Sequence, residues 1–202
     1  MTQIVSFYTP EYEGEVKGWK VSMAKTGLPF YAQRTESRGS WRKNCGLKPG
    51  FMLECLARFN DACLWIDIDG RVLGGMPELE SAPDEYDFGC FFIPWDQMNR
   101  NDKPGGPKSQ TDGTASGTMF VNNTVLGRDF MRRWIEMDHG QHQYEQIVLG
   151  ETWHGHRPGG LRTWRMPQRY CKVFDRPWKR GEAGPVQIEH YQASRRLRRK
   201  VR

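Results

Sequence analysis

CLWIDIDGRV, residues Cys63 to Val72, is an apolar run that ends on two carboxylates, Asp67 and Asp69, with a glycine immediately after. Its first half is rich in apolar and β-forming residues and reads as a buried strand. In a strand, residues i and i+2 leave the chain on the same side, so the spacing predicts that both carboxylates point one way. Two like charges side by side disfavour each other unless something positive sits with them. In open α/β sheets the ligand crevice lies outside the carboxyl ends of the strands, and this pair falls at such an end.

The segments upstream of the pair supply the start of such a sheet. QIVSFYT reads as a first strand that stops at Pro10 and leaves Tyr8 and Thr9 at its end. From about Glu13 to Lys25, Val16, Trp19, Lys20 and Met23 recur at helical spacing, and Gly27 and Pro29 close the segment. LPFYAQR follows as a second strand, which gives a βαβ beginning. KPGFMLECLARF, with Pro49 near its start, groups Phe51, Met52, Cys55, Leu56 and Phe59 on one helical face and leads into the Asp67 strand.

Downstream, YDFGCFFIPW reads as a strand and NRNDKPGGPKSQTDGTAS as a long loop rich in Gly, Pro, Lys and Asp. GTMFVNNT is then a strand, and GRDFMRRWIEM a helix with Phe130, Met131, Trp134 and Ile135 inward. HQYEQIVLGETW reads as a further helix, and WHGHRPGG, with His154 and His156, as an acceptor-side loop without the carboxylate or thiol company of a metal site. PGGPK lacks the G-K-[ST] ending of a phosphate loop. Trp41, Trp153 and Trp178 lie in polar stretches and are candidates to stack on a sugar or base.

The bulk numbers narrow the class. At 202 residues, 37% hydrophobic and 27% charged, the chain has the composition of one folded unit and not of a disordered segment. No apolar run approaches the roughly 20 residues of a membrane span, and MTQIVSFYTPEY has no signal-peptide pattern, so a cytoplasmic protein is expected. The five cysteines form no C-x-x-C spacing and suggest neither a zinc ribbon nor a disulfide framework. Net charge is +6, and the last nine residues, SRRLRRKVR, hold six basic groups, which suits a polyanionic partner.

A D-x-D triplet is common by chance, so its context decides. Paired aspartates at the mouth of a sheet suit a hard divalent cation that takes its other ligands from phosphates. The surroundings of LWIDID resemble the GT-A class of glycosyltransferases, in particular the glycogenin-like and lipopolysaccharide-galactosyltransferase-like family. In that family an apolar strand ends in D-x-D and holds Mn²⁺ or Mg²⁺ against the diphosphate of a nucleotide sugar. A helical lysine comes before it, matched by Lys48, and a Ser-Gly strand comes later, matched by Ser116 and Gly117 in ASGTMFVNNT. Glu145 and Gln146 in YEQIVL stand where the family has Asp-Gln. The late IEHYQASRR is similar to the family's third metal ligand and diphosphate contact: His190 matches the histidine, Ala193 replaces a glycine, and Arg196 replaces a lysine, with Arg195 beside it.

The resemblance implies an α/β fold, a GT-A (Rossmann-like) domain over residues 1–196 with a central mixed, mainly parallel sheet flanked by helices. Residues 1–70 would form its nucleotide-binding half, 71–196 its acceptor-side half, and 197–202 a basic tail. It implies a hexosyl- or pentosyltransferase with metal ligands Asp67, Asp69 and His190, and with Tyr8, Thr9, Lys48, Asp67, Ser116, Gly117, Arg195 and Arg196 on the donor. Glu145 and Gln146 would lie on the sugar side. The family implies retention at the anomeric carbon, while Asp112, Glu145 and Asp87 are candidate bases for inversion. The basic tail and DKPGGPK favour a phosphate-backbone acceptor, and short enzymes of this resemblance are similar to viral ones that glycosylate hydroxymethylated bases in DNA. The expectation is therefore a monomer or weak dimer acting on DNA, in the host cytoplasm if viral, with no membrane partner. A saccharide or lipopolysaccharide acceptor, a non-catalytic nucleotide- or nucleic-acid-binding module, and a metal-dependent phosphohydrolase or nuclease are the alternatives.

Overall fold

A computed structural model describes residues 1–94, 113–138, 145–174 and 184–197. The βαβ beginning is present: β1 (Thr2–Tyr8), α1 (Glu13–Ala24) and β2 (Phe30–Arg34), with β1 and β2 parallel. A short helix α2 (Trp41–Cys45), capped by the Ser40 hydroxyl, precedes α3 (Lys48–Phe59). Pro49 opens α3, where a missing N–H costs nothing, and Asn60 ends it in the left-handed region at φ 54°. Then come β3 (Ala62–Ile66), β4 (Gly70–Val72), a short α4 (Ala82–Glu85), β5 (Phe88–Ile93) and β6 (Gly113–Val121). Helices α5 (Val125–Asp138) and α6 (Glu145–Glu151) follow, and then β7 (Thr163–Arg165), β8 (Lys172–Val173), β9 (Ile188–His190) and α7 (Ala193–Leu197).

The main sheet has the order β2-β1-β3-β6-β5-β7, and β6 alone among its strands runs against the others. Both faces are covered, as a mainly parallel sheet requires. Alternate residues of one strand feed two cores. In β3, Cys63 and Trp65 join Val5, Phe51, Met52, Met131 and Trp134 on the α3–α5 side, while Leu64 and Ile66 join Ile4, Trp19, Met23, Phe120 and Trp164 on the α1 side. This mixed α/β architecture with a six-stranded sheet flanked by helices is the one expected.

Several local expectations are corrected. Lys20 is exposed on α1, and Ser22, whose hydroxyl donates to the Trp19 carbonyl, takes the inward position. Ile135 is 44% exposed, so the buried face of α5 is Gly127, Phe130, Met131 and Trp134. Gly113–Ser116 belong to β6 and not to the preceding loop, because Gly113, Thr114 and Ala115 pair with Ile93, Phe92 and Phe91. The rest of that loop, including Asp112, lies outside the described residues, as do Trp178 and residues 198–202 of the basic tail. Thr152–His156 continue α6 as a helical turn and do not form a loop.

A second sheet, β4-β9-β8, has no counterpart in the sequence reading. Strands of two or three residues are too short to show a period of two. Its register sets His190 opposite Gly70, at the exit of the Asp67 strand. Among the described residues, no helix is long and apolar enough to cross a membrane.

Candidate metal and donor site

The two aspartates converge by a route other than the one their spacing suggests. β3 stops at Ile66, and residues 67–70 form a turn closed by the Gly70 N–H donating to the Asp67 carbonyl at 2.7 Å. Asp67 stays on the Trp65 side of the strand, where the Trp65 indole donates to Asp67 Oδ1 at 2.8 Å. The turn carries Asp69 to His190 instead. Ligand atoms of Asp67, Asp69 and His190 all lie within 4.8 Å of one another, and these three residues could hold a metal ion.

Two glycines make room for the imidazole. A Cβ on Gly70 would lie 2.7 Å from Ile66 Cγ2 and 3.2 Å from His190 Cε1, and one on Gly117 would lie 3.1 Å from the same ring carbon. Such distances are below ordinary van der Waals contact, so the His190 ring occupies the space that side chains would take. Its Nε2 lies 2.9 Å from the Thr118 hydroxyl, and its Nδ1 faces Asp69 Oδ1 at 3.9 Å, beyond hydrogen-bond range. Asp69 Oδ2 accepts from the Ala193 N–H at 2.8 Å, which fixes the start of α7 to the turn.

Lys48 enters from α3, and its ammonium is buried. It meets Asp67 Oδ1 at 2.9 Å, Glu145 Oε1 at 3.1 Å and the Ser116 carbonyl at 3.3 Å, so all three donors have acceptors. The Ser116 hydroxyl also donates to Glu145 Oε1, at 2.9 Å. Helix α3, strand β6 and helix α6 are thus joined to the first aspartate by one buried charge cluster.

The electrostatics follow from this crowding. Burial disfavours the Lys48 ammonium, yet Asp67 and Glu145 hold its proton more tightly than in a free lysine. Burial raises the Asp67 carboxyl, and Lys48 only partly offsets it. For Asp69 burial also works upward, but His190 and the Ala193 N–H prevail and hold the carboxyl below its ordinary value. Glu145 is likewise held down, Lys48 and Ser116 outweighing its burial. His190 is raised to about 10, because Asp69, Cys171 and Asp67 outweigh the cost of burying an imidazolium. On losing its proton to an incoming ion, His190 would add a nitrogen donor to the Asp67 and Asp69 oxygens, a donor set that suits a divalent cation, whose charge would replace that of the imidazolium.

The other expected residues lie around this cluster or away from it. Since Val5 pairs with Trp65, the end of β1 brings Tyr8 and buried Thr9 to the same end of the sheet as Asp67. Gln146 follows Glu145 on α6, its carbonyl accepting from Thr114 Oγ1 at 3.0 Å. Arg195 and Arg196 are exposed on α7, and Arg196 pairs with Glu15 of α1. Glu15, Arg71, Tyr191, Gln192, Ala193 and Arg196 line a cavity of about 300 Å³ beside the triad.

Asp87 is removed from the site. It precedes β5 at the opposite end of the sheet, where Phe88 pairs with Val121, which also pairs with Cys63 near the start of β3. His154 is exposed on its helical turn, and neither it nor His156 joins the triad. Glu15 and Arg71 gave no signal in sequence. Their mutual approach, with Arg71 Nη2 2.8 Å from Glu15 Oε2, joins two elements that no motif links.

No protein-family model matches the chain, and no curated protein matches it by sequence. Solved structures do match. A glycosyltransferase involved in the glycosylation of the major capsid of PBCV-1 is 14% identical, with 98% of this chain and 97% of that one covered at a TM-score of 0.61. The glycosyltransferase GlyE of Streptococcus pneumoniae TIGR4 is also 14% identical, with 94% of this chain and 54% of that one covered at a TM-score of 0.57. The chain shares its fold with these glycosyltransferases over nearly its whole length.

Proposed function

We propose that the protein is a metal-dependent glycosyltransferase of the GT-A type that moves a sugar from a nucleoside diphosphate sugar to a hydroxyl. The observation that carries the reading is the meeting of Asp67, Asp69 and His190 within 4.8 Å at the carboxyl end of β3, in a fold shared with glycosyltransferases. Asp67, Asp69 and His190 would hold Mn²⁺ or Mg²⁺. When bound, the ion supplies Lewis-acid stabilisation of the departing diphosphate.

The chain's own residues do the rest. Lys48 fixes Asp67 and neutralises the buried charge around it, and Arg196, with Arg195 beside it, offers a cation at the rim of the cavity. Tyr8 and Thr9 face the nucleotide, and Ser116 and Gly117 line the donor side. Glu145, held ionised by Lys48 and Ser116, orients the sugar together with Gln146. Residues 1–70 act as the nucleotide-binding half and residues 71–196 as the acceptor-side half.

The acceptor reading rests on charge: a net +6 with a basic C-terminus suits a hydroxymethylated base in DNA. The second reading is a saccharide or lipopolysaccharide acceptor, and the fold likeness to an enzyme involved in capsid glycosylation supports an acceptor other than DNA. Hydroxymethylated DNA, unmodified DNA and oligosaccharides, each offered with a panel of nucleotide sugars and Mn²⁺ and read by mass, separate the two. One sugar added to the hydroxymethyl base alone supports the first. Addition to oligosaccharide alone supports the second, and nucleotide binding without transfer to any acceptor favours a non-catalytic module.

A further inference from the structure

Glycine in the middle of a helix costs about 1 kcal/mol relative to alanine, so one retained there calls for a reason. Helix α1 carries Gly18 at such a position and Gly14 in its first turn. A Cβ on Gly14 would meet nothing within 4 Å, whereas one on Gly18 would lie 2.7 Å from Arg71 Nη2, 2.9 Å from Nε and 3.0 Å from Cζ. Gly18 is therefore the seat of the Arg71 guanidinium.

What that guanidinium holds is the turn that bears the two aspartates. Its Nη1 donates to the Ile68 carbonyl at 3.0 Å and to the Gly70 carbonyl at 2.8 Å. Its Nη2 donates to Glu15 of α1, at 3.3 Å to the carbonyl and 2.8 Å to Oε2. Ile68 is the residue between Asp67 and Asp69, so fixing its carbonyl fixes the direction of one carboxylate relative to the other. The Tyr191 ring, next to His190, lies 5.9 Å from Arg71 Cζ. The other oxygen of Glu15 takes Arg196, so a single carboxylate ties α1, the turn and the C-terminal helix.

We propose that Arg71, seated on Gly18 and locked by Glu15, is a positioning residue that sets the geometry of the Asp67 and Asp69 ligands from behind the turn. It acts through the Ile68 and Gly70 carbonyls. The proposal rests on the reading that Asp67, Asp69 and His190 hold a divalent cation. Outer contacts that orient metal ligands typically change affinity by 10- to 100-fold when removed, and a backbone-mediated one belongs at the lower end.

The test measures Mn²⁺ binding to the full chain by electron paramagnetic resonance, together with amide exchange at Gly70 and the melting temperature. The variants are Arg71→Ala, Arg71→Lys, Gly18→Ala and the double Gly18→Ala/Arg71→Ala. Expected are an affinity about tenfold weaker in Arg71→Ala, partial retention in Arg71→Lys, and faster exchange at Gly70 in Arg71→Ala. Gly18→Ala should weaken Mn²⁺ binding in the wild-type background and add nothing in the Arg71→Ala background, because its effect runs through the guanidinium. If Arg71→Ala binds Mn²⁺ as tightly as wild type, or if the Gly18 and Arg71 effects add, the proposal fails while the metal reading stands. A wild-type chain that binds no Mn²⁺ overturns the metal reading and the proposal together.

Discussion

The two ends of the main sheet each bury aspartate, and they treat it differently. At the amino end of β5, Asp87 accepts from the Arg162 N–H at 3.0 Å, from the Arg162 Nε at 3.1 Å and Nη2 at 3.0 Å, and from the Thr124 hydroxyl at 2.8 Å. Both of its oxygens are committed. At the carboxyl end of β3, Asp67 and Asp69 share one lysine and one histidine, and Asp67 keeps about a third of its side chain exposed. The first arrangement closes a charge account and anchors a loop. The second gathers two carboxylates and leaves acceptor capacity on the partly exposed Asp67, which is what a cation requires.

The contrast predicts opposite phenotypes. The largest effect belongs to the open end: Asp69→Asn and His190→Ala should each cut glycosyl transfer by at least about a hundredfold, as expected for loss of positioned charge stabilisation. Full activity in either variant removes that residue from the ligand set. At the closed end, Asp87→Ala should cost roughly 2–3 kcal/mol of stability, since it strands the donors of Arg162 and Thr124, yet leave Mn²⁺ affinity unchanged. Denaturant unfolding and metal titration of the same variant check both halves of that statement.

The closed end also has a pH signature. Burial pushes the Asp87 carboxyl up, but the Arg162 side chain and N–H and the Thr124 hydroxyl prevail and hold it below its ordinary 3.8. A depressed carboxyl contributes stability that is fully present above its ordinary value and is lost as pH falls through the lower folded value. The difference in melting temperature between wild type and Asp87→Asn should therefore be constant near neutrality and shrink below about pH 4. A difference that grows with acid contradicts the assignment.

Smaller effects sharpen the same comparison. Gly117→Ala sets a methyl 3.1 Å from the His190 ring and should weaken Mn²⁺ binding by about tenfold with little loss of stability. Lys20→Ala, on the exposed face of α1, should stay within about 0.5 kcal/mol of wild type in denaturant unfolding. A larger loss would mean that Lys20 packs as its helical spacing suggested.

Much of this was legible in sequence where periodicity runs long. The β1-α1-β2 unit, the buried face of α3 and the inward Phe130, Met131 and Trp134 of α5 all follow from spacing, because each apolar stripe is long enough to show its period. The exceptions have local causes. Lys20 and Ile135 sit at helical spacing but at the edge of their stripes, where a one-residue step of 100° turns a side chain to solvent. The D-x-D spacing pointed to one face of a strand, whereas the Gly70 turn separates the two aspartates and brings them together again around His190. Lys48, Glu145 and His190 stand out in the sequence only through a resemblance. Their approach to Asp67 and Asp69 depends on β6, α6 and the short β4-β9 pair, contacts between residues far apart in the chain. Arg71 and Gly18 carried no pattern at all, because an arginine lying across a helical glycine is a tertiary contact without a spacing.

The open end of the sheet is proposed to bind a diphosphate through a divalent cation. Calorimetric titration of the full chain with uridine and guanosine diphosphates, with Mn²⁺ and with chelator, tests it most directly. Expected are tight binding of one of them with Mn²⁺, loss of that binding with chelator, and the same loss in Asp69→Asn with Mn²⁺ present. Equal binding with and without the metal would contradict it.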